Sequence, residues 1–163
     1  MRTIIAASLG KGFGASGGML MLGTARQEEL FRRFAVAHAF SASLNVASIG
    51  AALGSVAIHR SEDLAKRQTL LKSNIELLDS LLRTEQMGAP LPIRTVNLGS
   101  EERAVAATRS LLDRGIYGSA IFFPTVAKGR AGVRVCVTAD HTCEQVHDLC
   151  AALSDAIDIQ TAR

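Results

Sequence analysis

An α/β fold in two parts is expected for this chain of 163 residues. Short apolar runs that suit strands alternate with segments whose apolar residues recur every three or four positions, as on one face of a helix. A Gly and Pro cluster, "MGAPLP", interrupts the pattern and separates residues 1–90 from residues 91–163. The second part reads as a small α+β module in the order βαββα. With 48% hydrophobic residues the chain can bury a core of ordinary domain size.

"RTIIAA" and "MLMLG" have the composition of short buried strands, and they flank the glycine loop "SLGKGFGASGG". "QEELFRRFA" follows as one or two amphipathic helical turns. From Asn45 to His59 the residues are small, which suits a helix that packs closely on a neighbour. Leu64, Leu71, Ile75, Leu78 and Leu82 then mark a long amphipathic helix. Two or three strands cannot close a sheet, so the first part has the look of a piece of something larger. Beyond the boundary come strand "PIRTVNL", a helix from Ser100 to Arg114, strands "YGSAIFF" and "GVRVCVT", and a final helix. Thr142 and Gln145 form a capping box for that helix, with Val146, Leu149, Cys150, Leu153 and Ile157 as its core stripe.

Composition also excludes function classes. The net charge of +3 comes from 18 basic and 15 acidic residues interspersed along the chain, whereas nucleic-acid binding wants basic residues clustered on one face. The three cysteines, Cys136, Cys143 and Cys150, suit neither a disulfide framework nor a zinc knuckle and fit a reducing cytoplasm. His141 and His147 fall on different sides of a helix, so no metal site is expected. The stretch from Ala35 to Ile58 is apolar, but His38, Asn45 and several serines fit a buried helix better than a membrane span. No signal peptide is visible in "MRTIIAASLG", and a soluble, cytoplasmic protein is expected.

The glycine loop contains GxGxxG at Gly12, Gly14 and Gly17. A dinucleotide fingerprint would open a helix there, but a strand-like run follows, and Glu28 and Glu29 lie in a helical segment. A phosphate-binding P-loop needs its lysine after the last glycine and before Ser or Thr, and Lys11 precedes Gly12. What remains is Ser8-x-x-Lys11 after a strand. In "GVRVCV", alternation sets Arg134 opposite Val133, Val135 and Val137, which by itself describes a strand arginine facing water.

"SLGKGFGASGG" resembles the cofactor-lysine segment of the α-oxoamine synthases, roughly (T/S)LGKA(F/L)G(x)(S/A)GG. "FSASL" at Phe40 to Leu44 is similar to that family's "(Y/F)STxLPP". "RGIYGSAIFFPTVAKGRAGVRVCVTADHT" resembles its small-domain pattern "RGIYxxAIxxPTVPxGxxRLRxxxxAxHT". The matches run in order along nearly the whole chain. They imply the end of the large domain of a fold-type I enzyme, then its small C-terminal domain, with pyridoxal 5'-phosphate as cofactor and an amino acid and an acyl-CoA as substrates. A homodimer is implied as well.

By the same resemblance, Lys11 forms the Schiff base and shuttles the α-proton, and Ser8 hydrogen-bonds the cofactor phosphate. Ser41 or Ser43 supplies a second hydroxyl to the phosphate of the neighbouring subunit. Arg134 grips the amino-acid carboxylate. Some positions depart from the pattern: "LNV" stands for "LPP", and Gly132 replaces the first arginine of "RLR". The family's upstream half carries an aspartate that faces the pyridine nitrogen, and no Asp here stands in such a motif. The chain alone is therefore expected to be inactive. A non-catalytic remnant or dimerisation module, and an aminotransferase of the same broad fold, are the alternative readings.

Overall fold

The computed structural model describes residues 3–161. The chain divides into two compact units, Met1–Leu64 and Ala65–Arg163.

In the first unit, β1 (Ile5–Ser8) and β2 (Gly18–Met21) form an antiparallel hairpin in which Ile5 faces Met21 and Ser8 faces Gly18. Helix α1 (Ala25–Phe34) begins at Thr24, whose hydroxyl accepts from the Gln27 amide at 3.2 Å. Its outer face carries the pairs Glu28–Arg32 and Glu29–Arg33, each one turn apart. A single turn, α2 (Val36–Ala39), leads to α3 (Val46–His59), which Asn45 caps by accepting from the Ser48 amide at 2.7 Å. The strands expected to be buried are exposed along their whole length. The physical reason is that they pair only with each other among the described residues, in a two-stranded sheet. Helix α3 is likewise exposed, and Ser48 is its one buried residue.

The second unit is organised around a three-stranded antiparallel sheet in the order β3-β5-β4, with β3 at Ile93–Gly99, β4 at Ser119–Ile121 and β5 at Ala131–Cys136. Helix α4 (Glu62–Leu81) precedes it, α5 (Glu101–Asp113) links β3 to β4, and α6 (Cys143–Thr161) closes the chain. The βαββα order is thus present. Ser100 caps α5, and Thr142 and Gln145 exchange side-chain bonds with each other's backbone amides at 3.2 and 2.9 Å, completing the expected box. Strand β4 is shorter than "YGSAIFF" because the Phe122 carbonyl turns to accept from Thr125 and Val126.

One core joins Ile75, Leu78 and Leu82 of α4 and its end to Val96 and Leu98, Leu111, Val133 and Val135, and Val146 and Leu153. Asn74 adds two polar ties, donating to the carbonyls of Thr138 and His141 at 2.9 Å each. These contacts explain why the division falls at residue 64 and not at the Gly and Pro cluster. That cluster is itself fastened: Arg94, 1% exposed, donates to both oxygens of Asp79 at 2.6 and 2.7 Å and to the carbonyls of Ala89, Leu91 and Ile93.

Candidate active site in the glycine loop

The segment from Leu9 to Gly17 joins β1 to β2 as a closed loop. Leu9 is its root: the side chain is buried, its amide donates to the Gly17 carbonyl, and its carbonyl accepts from Ala15, both at 2.9 Å. At the tip the Gly14 amide donates to the Lys11 carbonyl, also at 2.9 Å. Gly14 and Gly17 have φ of 60° and 97°, the left-handed region that residues with a Cβ resist. Lys11 rides on this arc, exposed, and no described carboxylate pairs with it. Ser8, the last residue of β1, accepts from the Gly10 amide at 3.2 Å.

Two further segments close on the loop. A Cβ at Gly17 would run into the Leu44 side chain, so the stretch carrying Ser41 and Ser43 is packed against the loop's end. Phe13 stacks on His59, the last residue of α3, with ring centroids 4.8 Å apart and planes within 7°. Ser41 donates to the His38 carbonyl at 3.0 Å and lines a cleft of about 450 Å³ over Ala7, Gly18, Leu20 and Phe31. Ser43 is exposed. The first unit thus sets Ser8 and Lys11 in one loop and packs Leu44, next to Ser43, on the Gly17 end of that loop. Sequence reasoning missed the contacts of Phe13 with His59 and of Gly17 with Leu44, because nothing in the spacing links His59 or Leu44 to the loop.

Arg134 belongs to the second unit. It lies exposed on β5, registered between Thr95 and Ser119, with Val133 and Val135 buried on the other face. At Gly132 a Cβ would strike the Val96 carbonyl, because β3 and β5 approach closely beside the bulge at Asn97–Gly99. A cleft of about 470 Å³ between the ends of α5 and β5 and the start of α6, lined by Tyr117, Cys136 and His141, holds none of the candidate residues. Burial pushes the Cys150 thiol up to about 11, which suits an inert core residue. Among the described residues no His, Cys, Asp and Glu cluster could hold a metal, and no helix is long and apolar enough to cross a membrane.

The family model for aminotransferase class I and II matches residues 1–153. The chain belongs to that family. Within the class I and II aminotransferase family it is similar to the 8-amino-7-oxononanoate synthase of Vibrio parahaemolyticus, at 30% identity over 159 residues, which is 94% of this chain and 40% of that protein. It is also similar to the mitochondrial 5-aminolevulinate synthase of Agaricus bisporus, at 32% identity over 161 residues, 95% of this chain and 25% of that one. The chain therefore spans between a quarter and two fifths of these relatives. Its fold is shared with the serine palmitoyltransferase of Sphingomonas wittichii, with a TM-score of 0.87 at 22% identity, covering 98% of this chain and 40% of that structure. The 8-amino-7-oxononanoate synthase of Francisella tularensis shares it too, with a TM-score of 0.76 at 23% identity and 97% against 46% coverage. The α/β fold is thus that of a portion of the fold-type I enzymes.

Proposed function

We propose that this chain is the C-terminal part of a pyridoxal-phosphate α-oxoamine synthase, which condenses an amino acid with an acyl-CoA and releases carbon dioxide and free CoA to leave an aminoketone. The observation that carries the reading is the presentation of Lys11 at the tip of a closed glycine loop with the Ser8 hydroxyl at its base. That donor set fits the cofactor, since an amine suits its aldehyde and a hydroxyl beside glycine amides suits its phosphate. When bound, the cofactor supplies an electron sink for negative charge at the amino-acid α-carbon.

The rest of the work falls to the chain's own side chains. The amine of Lys11 would hold the cofactor and would afterwards carry the α-proton at Nζ. Ser8 donates its hydroxyl to the phosphate, and Ser41 or Ser43 adds a second hydroxyl across a homodimer. Arg134 holds the substrate carboxylate with two parallel N–H bonds, which sets the orientation of the bond that reacts. An acidic partner for the pyridine nitrogen lies outside the motifs of this chain, so turnover by these residues alone is not expected. The cytoplasmic location inferred from the cysteines belongs to the same reading.

Trapping tests it. In the complete enzyme, after incubation with pyridoxal phosphate and borohydride reduction, peptide mapping should find the label on Lys11, in the peptide from Ser8 to Gly18, ahead of Lys66, Lys72 and Lys128. Label on those three with Lys11 unmodified would overturn the assignment and favour a remnant that keeps only the fold.

A further inference from the structure

We infer that His59 is a positioning residue for Lys11, acting through the ring of Phe13; the inference rests on the reading of Lys11 as the reacting lysine. From Gly10 to Gly14 the loop is built almost wholly of glycine around Lys11 and Phe13. Its one backbone–backbone bond among the described residues, Gly14 to Lys11, lies inside the arc, and the Gly10 amide ties only the arc's start, to the Ser8 hydroxyl. Glycine backbones lose the most freedom on being ordered, so an arc of this composition drifts unless a side chain fastens it. Phe13 is that side chain: it is half-buried, and its ring lies flat on the imidazole of His59 at 4.8 Å.

The imidazole is itself held. Its Nδ1 lies 2.8 Å from the Ser55 carbonyl one turn back in α3. A carbonyl only accepts, so Nδ1 carries the hydrogen and the ring plane is fixed by the helix. At the other end of α3, Leu44 precedes the Asn45 cap and covers Gly17. The loop is therefore gripped at both ends of α3, at Gly17 by Leu44 just before the cap and at Phe13, two residues from Lys11, by His59 of the last turn. The first grip sets where the loop returns to β2. The second sets how far the amine stands from the Ser8 hydroxyl, and that separation governs whether one cofactor molecule can engage both.

The test uses the complete enzyme that carries this chain and compares pyridoxal phosphate with pyridoxal, which has the aldehyde but no phosphate. Borohydride trapping at Lys11 is scored relative to Lys128 in the same molecule, so the ratio between the two aldehydes reports joint engagement of amine and phosphate site. In the wild type this ratio should favour pyridoxal phosphate. His59→Ala and Phe13→Ala should each lower it roughly three- to tenfold, and the double variant should lower it no further. His59→Phe, which keeps a stacking ring, should restore most of it, whereas His59→Gln, which keeps a polar end without a ring, should not. His59 is exposed in the last turn of α3, and unchanged circular dichroism will show that each variant is folded. A wild type with no preference at Lys11 would sink the functional reading and this inference with it. A preference retained in His59→Ala, or additive losses in the double variant, would overturn the inference alone.

Discussion

Arg134 stands on the solvent side of β5 between two buried valines, so its side chain contributes little to the fold. That separates structure from function at one residue. Arg134→Ala should change the unfolding free energy of the second unit, read from urea melts, by no more than about 0.5 kcal/mol. On the proposed reading, the same change in an assembled enzyme should weaken amino-acid binding by about 2 to 5 kcal/mol, measured by titration, because the substrate carboxylate would lose its charged partner. Unchanged affinity would return Arg134 to a surface role. Strand alternation made the outward direction of this arginine readable from sequence. Two positions earlier the sequence showed only that Gly132 stands where relatives of the resembled pattern have arginine. The cause is a backbone crossing that no local pattern encodes: the Val96 carbonyl occupies the space of a side chain at that position.

At the scale of elements, the tie between α4 and β3 has a measurable acid limb. The Arg94 guanidinium holds the Asp79 carboxyl below its ordinary value of 3.8, against the opposing effect of burial and with help from the Gly88 amide. A carboxyl lowered in the folded state contributes stability that is complete above its ordinary value and disappears as pH falls through the lowered one. Urea melts between pH 2 and pH 7 should therefore show stability dropping at the acid end, and Asp79→Asn should flatten that drop. Asp79→Ala at neutral pH should cost about 3 to 5 kcal/mol, since it strands a buried guanidinium. A pH profile identical in Asp79→Asn and wild type would contradict this assignment. The helices themselves were legible: the spacing of Ile75, Leu78 and Leu82 and the box at Thr142 and Gln145 are local signals, and they locate α4 and α6 within a few residues. Arg94 was not legible, because an arginine in a strand reads as a solvent-facing residue until its five donors are seen to be filled.

At the scale of the whole molecule, burial is unevenly shared. Among the described residues of the first unit only Leu9 and Ser48 are buried, whereas the second unit holds an extended apolar core. Helix α3 carries no charged residue from Val46 to Ile58 and shows Val46 and Leu53 to solvent at 84% and 66% exposure. Amide exchange followed by mass spectrometry should find β1 and β2 opening roughly a hundredfold or more faster than β3 and β5, because local opening there exposes almost no buried apolar surface. Equal protection in the two sheets would show that the hairpin is held by contacts other than those described. Sequence could forecast that so few strands cannot close a sheet. It could not show that both would lie uncovered, since apolar strands have the same composition whether or not something covers them.

The packing of Leu44 on Gly17 makes the two positions unequal as routes for change over generations. Leu44 can shrink by single substitutions and leave only a small void. Gly17 cannot grow in step with it, because its φ of 97° penalises any side chain even after the leucine has gone. Drift at this contact therefore runs one way, toward a looser loop, and the way back depends on regaining a large residue at 44 while 17 waits unchanged.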